Sequence, residues 1–279
     1  DFRSDFISRD LFRMGSMEMR RNGFGKLWIV MILMLGLALG ELGRAGESLT
    51  WNGTGGTEYW NEKTNDATNT NFKKGDGTSV AFEDGDSVTF GSGTDLNTNV
   101  NLLYSNNKID LTVSGMTVAA GSGKTYTFSG KSSADGEVSS ITSAGGLAIT
   151  SGAAQFNNST KIDFAGASSI AKNSTLTLKG EFSFTSGLTI NSGGTLKIGH
   201  TMTTGANATT FSGSGTLEII DSAAYRMSSA NTFSGDIKIT DGRLIMLGGA
   251  SIANAASVTV SADGVLNVAS GMDTTVKSL

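Results

Sequence analysis

From position 176 onward, triplets of apolar–polar–apolar residues recur along the chain: LTL at Leu176, LKI at Leu196, LEI at Leu217, IKI at Ile237 and VTV at Val258. The intervals are 20, 21, 20 and 21 residues. Alternation with a period of two sends successive side chains to opposite faces of an extended strand. Each triplet therefore predicts a short strand with one apolar face. A second series trails the first by about eight residues, with FSF at Phe182, YRM at Tyr225, LIM at Leu244 and LNV at Leu266. Ser-Gly, Asp-Gly and Gly-Gly pairs punctuate the two series. Stretch 229–246, SANTFSGDIKITDGRLIM, holds one such unit: a Ser-Gly turn, a short strand, an Asp-Gly turn and another short strand. A single copy would fit a hairpin, whereas recurrence at a fixed interval fits one coil of a solenoid.

A lone coil cannot bury its apolar face, but stacked coils align equivalent strands roughly 4.8 Å apart, so that backbone groups pair along the axis. On this reading Phe164 and Phe184, and likewise Phe211 and Phe233, are expected to stack as inward ladders. Upstream the register loosens. LTV at Leu111, TYTF at Thr125, LAI at Leu147 and IDF at Ile162 are strand-like at drifting intervals, as insertions at the turns would produce. If the coils begin near Val100, about nine fit, a stack on the order of 40 Å long. A β-sandwich or meander also yields short strands at 8–12-residue spacing; the four near-constant intervals favour an all-β parallel solenoid of about 20-residue coils.

Composition agrees with many tight turns. Glycine accounts for 38 of 279 residues, and proline and cysteine are absent. Without cysteine there is neither a disulfide framework nor a thiolate metal site. A formal charge of −4 with no basic stripe argues against a nucleic-acid partner.

The N-terminal part reads differently. After Met17 come Arg20, Arg21 and Lys26, then the 14-residue apolar run 27–40, then small residues at Gly43 and Ala45. These are the three parts of a secretory signal. The run is shorter than the roughly 20 residues a membrane-spanning helix needs. The expected organisation is an upstream extension over 1–16 that is not structural, a signal peptide over 17–45 cleaved after Ala45, an aromatic-rich cap over 46–99, and β-helix repeats over 100–279. The cap carries Trp51, Tyr59, Trp60, Phe72, Phe82 and Phe90 and would close the open end of the stack. The pattern stops mid-repeat at DTTVKSL, so the repeats are expected to continue in a longer protein.

Stretch 211–246, FSGSGTLEIIDSAAYRMSSANTFSGDIKITDGRLIM, closely resembles the passenger-associated repeat of bacterial autotransporter-type proteins. That repeat alternates Gly-Ser-Gly-Thr-Leu, an Asn-Thr-aromatic-Ser-Gly turn and a Gly-x-Leu strand. The opening TWNGTGG, YWN and GDSVTF is similar to the first mature residues of many such proteins. With weaker copies the resemblance covers most of 49–279. It implies a right-handed parallel β-helix passenger carried to the cell surface by a C-terminal outer-membrane barrel. No barrel signature of successive ten-residue alternating strands is present in this sequence.

Candidate chemistry is sparse. Gly123-Lys124-Thr125 matches the end of a phosphate loop, but Val118 stands where its first glycine belongs and the following TYTF alternates like a strand. Glu83, Asp84 and Asp86 crowd one turn, yet their spacing fits neither the twelve-residue calcium loop nor the nonapeptide calcium repeat. His200, the sole histidine, excludes paired-histidine zinc sites, and no Gly-x-Ser-x-Gly elbow accompanies it. Glu218, Asp236, Lys238, Asp241, Arg243 and Asp263 read as scattered and mixed in sign. Lys197, Glu218 and Lys238 fall in register as an alternating outward ladder worth tenths of a kcal/mol per pair.

No catalytic, cofactor-binding or metal residue is assigned, and no cofactor is expected. The expectation is an exported, non-enzymatic, structural and adhesive surface domain of a Gram-negative-type bacterium. Its variable turns would meet a host or environmental glycan or protein. The alternative is a polysaccharide-degrading β-helix enzyme, a lyase or hydrolase, whose catalytic face lies outside or is not evident in this fragment.

Overall fold

The computed structural model describes residues 46–53, 59–60, 70–93, 96, 98–104, 107–131 and 138–269. The expected signal peptide and upstream extension lie outside the described residues. Among those residues the structure is all β, largely parallel, and consistent with a β-solenoid: 22 strands and no helix.

The five triplets that open the sequence pattern stand directly above one another. Leu176 pairs with Leu196, Leu196 with Leu217, Leu217 with Ile237 and Ile237 with Val258, all in parallel ladders. Each of these side chains is at most 2% exposed. Ladders of this kind line three faces. The first runs through Ser48–Trp51, Ser87–Phe90, Gly115–Ala119, the start of Leu147–Phe156, Ser168–Ile170, Leu188–Ile190 and Phe211–Gly213. The second contains the Leu176 column and runs back through the end of Leu147–Phe156 to Thr125–Gly130 and Asn99–Tyr104. The third holds Asp110–Val113, Ser139–Ser143, Thr160–Phe164 and Phe182–Phe184. The chain visits the faces in this order on successive passes, so inward apolar residues from all three meet in one buried cluster.

Partner offsets explain the upstream drift. Leu111 pairs with Ile141 and Val88 with Met116, wider steps than those of the Leu176 column. The extra residues sit between strands and leave the ladders in register. Phe164 and Phe184 stack as the spacing predicts, with ring centroids 6.1 Å apart and planes 16° from parallel.

Two expectations need correction. The stretch 229–246 does not contain two strands joined by a turn. Asp236–Met246 is one eleven-residue strand that bends at a register shift between Ile239 and Asp241. Gly242 takes φ +119° at that corner, and Gly152 takes φ +68° where Leu147–Phe156 bends at a different corner, from the first face to the second. A Cβ at either glycine would strike a backbone carbonyl of the adjacent coil, Ala223 and Gly121 respectively.

Next, Phe211 and Phe233 form no ring contact among the described residues. The Ser234 N–H donates to Gly213 O at 2.8 Å, which sets Phe233 beside Gly213, two residues out of step with Phe211. Phe211 lies against Tyr225 instead, at 6.2 Å.

The second series is interrupted at one rung. Tyr225, Leu244 and Leu266 pair in sequence, but Phe182 pairs with Ile162. The missing rung between Phe182 and Tyr225 accounts for the break.

The aromatic segment is built into the stack. Trp51 and Phe90 lie on first-face strands, and the antiparallel pair Phe72–Lys73 and Ser79–Val80 packs beside them through Trp51–Phe72 ring contact at 5.2 Å. Phe90, Phe128 and Phe156 then carry the aromatic column inward at centroid spacings of 4.9 and 4.7 Å. Tyr59 is the exposed member of the set.

Replacing Leu217 with alanine is expected to cost about 2–5 kcal/mol in urea unfolding, because the neighbouring rungs cannot close around the hole. Lys238→Ala, on the outward ladder one rung on, is expected to stay within about 0.5 kcal/mol. Equal effects of the two would contradict the assigned facing.

Candidate functional site

On the third face the ladder ends at Phe182–Phe184, and the next strand on that side, Ala223–Met227, belongs to the second coil after it. The coil between them leaves the second face at Ile198 and reaches the first face at Phe211 through a loop, 199–210. Removing a strand from a parallel stack orphans the N–H and C=O groups that face it, and buried orphans are costly.

Two loop side chains take over that pairing. The Asn207 carboxamide, nearly buried, donates from Nδ2 to Phe182 O at 2.8 Å and accepts the Thr209 N–H at 2.8 Å. The Thr209 hydroxyl accepts the Phe184 N–H at 3.1 Å. On the other side, the Asn207 N–H donates to Arg226 O at 2.9 Å. A carboxamide suits this position because it offers a donor and an acceptor at once, as a peptide group does.

The rest of the loop is held from Ala223–Met227 and the residues after it. Met202 N–H donates to Ala224 O at 3.0 Å, and the Arg226 side chain donates through Nε to Gly205 O at 2.7 Å. The hydroxyls of Ser228 and Ser229 donate to Asn207 O and Ala208 O at 3.2 and 2.7 Å. The loop is thus fixed along one edge, and an open cleft of about 430 Å³ remains between it and Phe182–Phe184. Its walls carry Glu181, Phe182, Ser183, His200, Thr201, Met202, Thr203, Thr204 and Asn207. Behind Phe182 lies Tyr225, its ring stacked at 5.8 Å and 17°. Burial pushes the Tyr225 phenol well above its ordinary range, and its hydroxyl is unpaired among the described residues.

The residues singled out in the sequence fall as follows. His200 lies in the wall of this cleft, half-buried. Gly123-Lys124-Thr125 forms a turn that enters the strand Thr125–Gly130, and Lys124 Nζ donates to Gly93 O at 2.9 Å. Asp86 is turned inward, its carboxylate accepting the N–H groups of Glu47 and Glu83 at 2.8 and 3.0 Å. Asp84 accepts the Thr112 N–H at 2.8 Å. These two carboxylates tie coils together. Among the described residues no three metal-ligating side chains converge. Lys197 and Glu218 pair across adjacent coils at 3.3 Å, beside Lys238 in the next rung.

The remaining charges are less scattered than their sequence positions suggest. Asp241 registers with Asp263, and both line a hollow of about 420 Å³ with Arg243. Asp241 is already engaged there by the backbone N–H and hydroxyl of Ser222, at 3.0 and 3.1 Å.

Sequence reasoning overlooked Asn207, Thr209 and Asn231. Asn231 does the same work one coil later: its Oδ1 accepts the Phe211 N–H at 2.6 Å and its Nδ2 donates to Ser229 O at 2.8 Å. The available signal was the recurrence of Ala-Asn ahead of Thr-Phe-Ser-Gly at 206–213 and 230–235. No protein-family model matches the chain, and comparison with curated proteins and with solved structures gives no match.

Asn207→Ala strips partners from Phe182 O and the Thr209 N–H. The expected outcome is a loss of about 1–3 kcal/mol. Faster amide hydrogen exchange should be confined to 199–210 and Phe182–Phe184. Acceleration spread evenly along the column would contradict a local pinning role.

Proposed function

We propose that this chain is the exported, N-proximal passenger part of a surface protein of a Gram-negative-type bacterium, acting as a stiff adhesive rod. In this reading it is a right-handed parallel β-helix of about 20-residue coils, delivered by a signal peptide and carried outward by a C-terminal barrel of the full-length protein. It performs no catalysis, and its partner is a glycan or protein on a host or environmental surface. The observation that carries the reading is the in-register column from Leu176 to Val258, its apolar side chains buried on the inside. Its outward ladders are polar: Thr175, Thr195 and Thr216 in one, Thr177, Lys197, Glu218 and Lys238 in the next. Repeated backbone pairing gives stiffness and leaves loops such as 199–210 free to vary. The passenger-like repeat at 211–246 supports the export route.

A second reading, cleavage of an acidic polysaccharide, is favoured by the hollow that gathers Asp241, Asp263 and Arg243. Carboxylates beside a guanidinium are the groups such chemistry needs, as base and as charge stabiliser.

One experiment separates the two. Beads coated with the protein are applied to immobilised polysaccharides, glycosylated cell surfaces and matrix proteins, and the supernatant is assayed for soluble saccharide. Saturable adhesion without released product is expected. Product release that Asp263→Asn abolishes would replace the adhesive reading with the enzymatic one, and absence of adhesion to every surface would remove the first reading.

A further inference from the structure

We propose that the cleft beside loop 199–210 is a binding subsite for one or two residues of a neutral oligosaccharide. This rests on the adhesive reading above and assigns its contact point.

The composition of the wall selects the ligand class. Hydroxyls come from Ser183, Thr201, Thr203 and Thr204, and apolar surface from half-buried Met202 and the 6% of Phe182 that stays exposed. The carboxylate of Glu181 faces Lys161 Nζ at 3.7 Å, so the one acid in the wall has a counter-charge. An anionic ligand would find no cluster of cations there, and a metal ion no set of three ligands. A wholly apolar ligand would strand the wall hydroxyls against a surface that cannot pair with them. A neutral sugar meets both demands: its C–H face covers apolar atoms while its hydroxyls both donate to and accept from threonine.

The cleft is also preorganised. Its floor strand keeps its pairing through Asn207 and Thr209, and its loop is held at Thr201, Met202, Gly205, Asn207 and Ala208 by Ala223–Met227 and the serines that follow. The Ala224 N–H donates to Thr201 Oγ1 at 3.4 Å, which leaves that hydroxyl's proton free to point at a ligand. Thr203 and Thr204 are exposed at the tip of the loop. A volume of about 430 Å³ lies within the roughly 300–1,000 Å³ range of small-molecule sites. Little ordering is then needed on binding, which is where affinity for flexible, hydrated ligands is usually lost.

The test titrates the full chain by calorimetry with cellohexaose, maltohexaose and mannohexaose, and with hexagalacturonate as the acidic comparison. The same preparation is run in the bead-adhesion assay. Binding of at least one neutral hexasaccharide is expected, weakened about tenfold or more in Thr203→Ala/Thr204→Ala and unchanged in Thr175→Ala on the second face. Circular dichroism and urea midpoints of the double variant should match the parent, because both positions are exposed. Neutral-saccharide binding that the double variant leaves intact would overturn the site. Preference for hexagalacturonate, or no binding of any of the three neutral probes, would overturn the ligand class. Adhesion retained without saccharide binding would sink this subsite and leave the adhesive reading standing; saccharide binding without adhesion would do the reverse.

Discussion

Everything in this protein depends on each coil satisfying the backbone of the next. A strand of three to five residues buries too little surface to stand alone, and its N–H and C=O groups point along the stack, not into it. Parallel pairing at one strand spacing answers both needs together. The inward column Leu176, Leu196, Leu217, Ile237 and Val258 is its packing consequence, and the outward column through Thr175, Thr195 and Thr216 its solvated counterpart. Glycine enters where a strand must bend between faces against a neighbouring carbonyl, as at Gly152 and Gly242.

That constraint also explains why irregularity in such a stack is informative. A coil can omit a strand only if something else completes the exposed ladder edges. Here a buried asparagine and a threonine do so, and the displaced chain becomes a loop fixed along one side with a cleft on the other. The same asparagine device recurs at Asn231, where the chain rounds the next corner without a first-face strand. In a repeat protein, side chains that imitate a peptide group mark the places where regular structure has been traded for surface.

Much of the fold was legible because period-2 alternation and interval are properties of sequence alone. The Leu176 series marks its own register, and Phe164 and Phe184 stack as their spacing requires. Legibility failed where counting along the chain ignored a changed path. Between Phe182 and Tyr225, whose rings stack, loop 199–210 stands where a strand triplet would be. Phe233 is two residues out of step with Phe211 because the chain rounds a corner between them. The cleft was invisible for a related reason: its polar residues, from Glu181 to Asn207, carry no motif, and only the absence of a strand brings them together. Asp241, Asp263 and Arg243 likewise meet through register, over a sequence distance that hides them.

The absence of cysteine allows the stacking itself to be measured, since paired cysteines carrying spin labels can be placed at will. Outward labels at Thr175 and Thr195 should show the strongest dipolar broadening, with Thr175 and Thr216 weaker and Thr175 and Asp236 weaker again, about one strand spacing being added per rung. A label at Ser183, only eight residues from Thr175 but on another face, should couple to it less strongly than Thr195 does. Coupling that follows closeness in sequence, or a Thr175–Thr195 pair with no broadening, would contradict a column of parallel coils.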